Sequence, residues 1–153
     1  MNLSAFLRAA AGLALLGAVC CAAQEAGYWR AASSAASSIT GDISIAQSKI
    51  TIDFTAFPIV QVRTLTPAEV SAAFGVDLNA GGDGRLYKLT VPGARRFLHH
   101  NTLCGTEDTQ WMATYVAGHT LKVTVFSGTE PPVLTLDALA NSMDVCGTFM
   151  YSR

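Results

Sequence analysis

ITGDISIAQSKITIDF, residues 39–54, alternates apolar and polar side chains in two successive runs. Ile39, Ile43 and Ile45 share one parity, and Ile50, Ile52 and Phe54 share the other. A strand sends successive side chains to opposite faces, so a period of two describes a ribbon with one face on a core and the other in water. The parity changes at Gln47 and Ser48, which predicts a β-hairpin joined there. IVQVRTL, residues 59–65, follows Pro58 and is rich in β-branched side chains, so it extends the same sheet.

Beyond this sheet Thr66, Pro67 and Glu69 form a helix start. Thr66 can accept from the first free N–H groups, Pro67 has no donor to lose there, and Glu69 completes a capping box. Val70 and Phe74 lie one turn apart and Gly75 offers a left-handed stop, so the helix is two turns long. The glycine-rich run Asn79–Gly84 lacks the Lys-Ser/Thr of a phosphate loop and leads into a strand, RLYKLTV, not a helix. It reads as a connection. QWMATYV and TLKVTVF form a second hairpin about Ala117, Gly118 and His119, with Leu121, Val123 and Val125 on one face. After Pro131 and Pro132 a short apolar segment, Leu134–Ala140, suits a helical turn, and CGTFMY suits a last strand. Gly27–Ser38 reads as a leader strand or a loose arm, with Trp29 pinning the chain end.

The fold class that follows is mainly β, a small antiparallel β-barrel or sandwich of seven or eight strands with one short helix. Closure has a physical advantage, because it removes the exposed strand edges that promote aggregation.

Residues 1–23 carry Arg8, an apolar run from Ala9 to Val19, and small residues at Ala22 and Ala23. This is the pattern of a secretory signal peptide cut after Ala23, leaving 24–153 as a single β-rich domain in the periplasm or secreted. The run is shorter than the roughly 20 apolar residues that span a bilayer, and no later segment is longer, so no transmembrane helix is expected. A lipid anchor at Cys20 or Cys21 is the weaker alternative, since Val19 stands where a small residue belongs before Cys20. The chain has ten basic and eleven acidic residues, and loss of Arg8 leaves nine against eleven, a formal −2 without a basic run. That excludes nucleic acid as an expected partner. Processing also leaves Cys104 and Cys146 as the remaining thiols, and in an oxidising compartment they are expected to form a disulfide.

Arg95, Arg96, His99 and His100 are the densest group of functional side chains, and with Trp29 they make the candidate binding set. Neighbouring histidines diverge on a strand or a helix, so no metal site is expected, even with His119 nearby. A solvated loop with one buried His is the expectation instead. No Ser stands in a GxSxG turn or beside the histidines. Asp42 and Asp53 could pair for glycoside chemistry, although carboxylates on the wet face of a hairpin are the ordinary case. No catalytic residue and no cofactor are assigned.

Trp29, ITGDI (39–43), NTLCG (101–105), VFSG (125–128) and CGTFMY (146–151) together resemble a group of small exported proteins of Gram-negative bacteria. The resemblance covers most of the chain after the signal. It implies export and the Cys104–Cys146 pairing, and it carries over no catalytic residue.

These readings lead to an exported binding or interaction protein. Its partner would be another protein, such as a hydrolase it inhibits, or a small apolar ligand in the barrel mouth. An envelope hydrolase built on Arg95, His99 and His100 is the rival, and requires those residues to converge in a pocket with a carboxylate or Ser. A structural envelope component would show a flat surface.

Overall fold

The computed structural model describes residues 24–153, so the signal read at 1–23, with Cys20 and Cys21, lies outside the described residues. Eight strands follow one another around a closed antiparallel barrel. They are β1 (Gly27–Ala31), β2 (Ile43–Ala46), β3 (Lys49–Ile52), β4 (Thr55–Thr64), β5 (Asp83–Val91), β6 (Thr109–Ala117), β7 (Thr120–Phe126) and β8 (Val145–Ser152). The barrel closes where Arg30 and Ala31 of β1 meet Ser152 and Tyr151 of β8. Helix α1 (Pro67–Phe74) follows β4 and α2 (Leu136–Asn141) follows β7. No helix among the described residues is long and apolar enough to cross a membrane.

The hairpin that decided the fold is present, with Ala46 opposite Lys49 and Ile43 opposite Ile52. Its two outer residues are corrected. Ile39 belongs to a short helical turn, Ala36–Thr40, and not to a strand. Phe54 leaves the inward parity because the chain turns at Asp53 and Phe54, which have φ of 46° and 61°, and its ring is fully exposed. The third strand begins at Thr55, before Pro58. The proline is tolerated because it sits where β4 passes from pairing with β3 to pairing with β5, so no ladder bond needs its missing N–H.

The barrel is filled. Ile43, Ile50, Ile52, Leu89, Met112, Val123, Val125, Phe149 and Tyr151 surround an interior void of only about 10 Å³, no larger than one water. A second apolar layer lies outside the wall, where Val70 and Phe74 of α1 and Leu134 cover Leu86, Trp111, Ala113, Tyr115 and Phe126. Strands β5 to β7 are therefore buried on both faces, and β6 reads as a nearly unbroken apolar run.

Antiparallel order sends successive connections to alternate ends of the barrel. One end, the base, holds the β2–β3 and β6–β7 turns and both termini of the described chain. Trp29 is fully buried there, donating from Nε1 to the carbonyl of Glu25 at 2.8 Å. The Arg153 guanidinium lies 4.2 Å from the Trp29 ring centroid and donates to the carbonyls of Gln24 and Ala26. Glu25 itself is fully buried, its carboxylate accepting from Arg85, from the Tyr87 hydroxyl at 2.5 Å and from Thr114 at 3.3 Å. The other end, the rim, holds the β3–β4 turn and the β5–β6 connection. There Cys104 is bonded to Cys146, tying that connection to the start of β8.

The helix start is built as its spacing requires. Thr66 accepts from the Glu69 N–H, Glu69 accepts from the Thr66 N–H, and Gly75 ends the helix at φ 64°. Arg63 grips the same carboxylate through two 2.8 Å bonds, which hold Glu69 below the usual carboxylate range. Thr66→Ala is expected to lower stability by about 1 kcal/mol, read as a shift in urea midpoint at constant slope. An unchanged midpoint would show that the cap is redundant with Arg63.

Candidate functional site at the rim

The residues singled out from sequence do not converge. Trp29 is at the base, with no exposed face left for a ligand to stack on. Arg95 is a brace at the rim, donating to Thr55 at 2.7 Å, standing 3.9 Å from the Asp53 carboxylate and lying 5.4 Å from the Phe97 ring. Arg96 donates to the carbonyl of Gly93 at 3.0 Å. His99 and His100 lie in a short turn, Leu98–His100, with φ of 54° and 62°. Both are exposed, which corrects the expectation that one would be buried; Phe97 and Leu103 fill the space beneath instead. Among the described residues no hydrogen bond ties either imidazole to a carboxylate or a Ser, and no group of three potential metal ligands is assembled. His119, on the β6–β7 turn, is at the opposite end of the barrel.

A cleft does form beside them. It has a volume of about 320 Å³ and is lined by Tyr28, Asp42, Ser44, Thr51, Asp53, Phe54 and Leu98, among others. Strand register explains its floor: Tyr28 lies opposite Ser44 and Ser44 opposite Thr51, so three outward side chains stand in a row across β1, β2 and β3. Gly41, at φ 62°, lets the chain enter β2 directly beneath Leu98, whose side chain would stand 3.0 Å from any added Cβ. Leu98 thereby brings the 94–105 connection down onto the hairpin end.

Two features of the cleft are electrostatic and conformational. Tyr28 donates its hydroxyl to Asp42, and the Ala31 N–H donates to the same carboxylate at 2.9 Å. These bonds, the tyrosine's first, hold Asp42 below the usual carboxylate range and push the Tyr28 phenol up. Phe54 occupies a left-handed position that two-residue hairpins ordinarily give to Gly, and bulky side chains there are outliers. Its ring is fully exposed, so no burial offsets the strain of that position. No family model, curated protein or solved structure matches this chain.

The sequence raises Asp42 and Asp53 only as a conceivable glycosidase pair and favours ordinary wet-face carboxylates; it does not single out Tyr28 or Phe54. Tyr28 has no local pattern to distinguish it from any strand aromatic. Phe54 is hidden because it continues the apolar period of two, and Phe is not a residue that marks a turn.

Proposed function

We propose that this chain is an exported, non-enzymatic interaction protein that docks on another protein through its rim, with Phe54 as the anchor. The carrying observation is the fully exposed Phe54 ring held on a two-residue turn. Interface energy concentrates in aromatic side chains presented on rigid supports, and a strained backbone position tends to persist where it serves a site, at a cost of about 1–3 kcal/mol. The filled interior supports a protein partner over a small apolar ligand, because a void of about 10 Å³ leaves no room for one. A hydrolase inhibited by the rim remains within this reading, and the signal pattern with the single disulfide supports a periplasmic or secreted location.

The test is site-specific photocrosslinking in the producing cell, with a photoreactive residue at position 54 and a control at Val62, which is exposed on the bare wall of β4. A discrete adduct to one envelope or extracellular protein from position 54, and not from 62, is expected. Phe54→Ala should then weaken binding to that protein by at least about 10-fold. Equal labelling from both positions, or wild-type affinity in the variant, would overturn the proposal.

A further inference from the structure

The lining of the rim cleft has a one-sided chemistry. Its polar groups are two carboxylates, Asp42 and Asp53, and hydroxyls such as Ser44 and Thr51, while no Lys, Arg or His side chain lines it. Arg95 is outside the lining, 3.9 Å from Asp53, and Arg30 reaches Asp42 only through its charge. Two aromatic side chains with exposed surface, Tyr28 and Phe54, complete the lining. Such a cleft offers hydrogen-bond acceptors, fixed negative charge and aromatic faces together. The hydroxyls can serve a ligand of either charge, but the carboxylates and the ring faces both attract a guanidinium or ammonium group and repel an anion.

We infer that the cleft receives an arginine or lysine side chain of the partner, inserted next to the Phe54 anchor and bonded to the free lone pairs of Asp42 and Asp53. This rests on the reading of the rim as a docking surface and adds the chemistry of what docks there. Asp42 is well suited to the role because two of its acceptor sites are already filled by Tyr28 and Ala31, which fix its orientation before a ligand arrives.

The inference can be tested without knowing the partner. The isotope-labelled protein is titrated with N-acetyl-arginine methylamide, with its neutral isostere N-acetyl-citrulline methylamide, and with a disaccharide of N-acetylglucosamine, and amide shifts are followed by NMR. Saturable shifts confined to residues 42–44 and 51–54 are expected for the arginine probe in the millimolar range, with affinity at least about 10-fold lower for citrulline, the loss of one charge-assisted bond. Asp53→Asn should weaken the arginine probe about as much, and raised salt should weaken it in the wild type. The Asp53 carboxylate stands 3.9 Å from Arg95 and is partly exposed, so this variant is expected to fold, and its unchanged amide spectrum outside the rim is the control. Equal affinity for citrulline, a preference for the disaccharide, or no saturable shift would overturn the inference. A partner lost on Phe54→Ala but kept on Asp53→Asn would refute the cationic occupant alone and leave the docking surface standing.

Discussion

Glu25→Ala is expected to destabilise the domain by about 3–5 kcal/mol, the usual result of removing one member of a buried ion pair. The Glu25 side chain is 1% exposed and that of Arg85 16% exposed, so the arginine left behind can recover little hydration. Tyr87 and Thr114 lose an acceptor in the same step. Burial, and then the bond to Glu25, already push the Tyr87 phenol far above its ordinary value. Glu25→Gln keeps the shape and one acceptor, and should cost less than the alanine variant. Urea denaturation of both, in a double-mutant cycle with Arg85→Ala, measures the coupling. A loss below about 1 kcal/mol in the alanine variant would mean that the pair is hydrated and contributes as surface pairs do.

Removal of the disulfide by a paired Cys104→Ser and Cys146→Ser substitution should cost roughly 3 to 4 kcal/mol. The bridged residues are 42 positions apart, and the chain-entropy model gives that figure for a loop of this size. Net stability of small domains is about 5–15 kcal/mol, so the reduced protein should unfold at markedly lower denaturant. Because the bond ties the 94–105 connection to β8, hydrogen exchange at His99 to Gly105 should rise before that of the interior strands. Identical midpoints for oxidised and reduced protein would contradict the assignment of the bond as a main support of the rim.

Much of the architecture was legible because its determinants are local. Ile43, Ile45, Ile50 and Ile52 carry the hairpin in their spacing alone, and Thr66, Pro67, Glu69 and Gly75 specify the ends of α1 through contacts within a few residues. The exact edge of the hairpin was not, since Phe54 continues the period of two one residue beyond the point where the chain turns. The choice between barrel and sandwich depended on β1 meeting β8, a pairing between residues over 100 positions apart that no window of sequence contains. Burial of Glu25 is of the same kind: a charged residue ahead of the first strand has no local sign that Arg85 and Tyr87 will enclose it. For the site, the dense Arg and His side chains at 95–100 brace the rim or point into water. The cleft itself is assembled by register between strands, which places Tyr28 beside Asp42, 14 positions away.

Residues 24 and 153 touch, through the Arg153 guanidinium on the Gln24 carbonyl at 2.8 Å. A short covalent linker could therefore join them, and new ends could be opened in the exposed Ala80–Gly82 loop to give a circular permutant of the same barrel. The meeting point also faces away from Phe54. A fluorophore, affinity handle or solid support fixed at Arg153 would hang from the far side, so that a surface-bound array of this protein would turn every Phe54 ring outward.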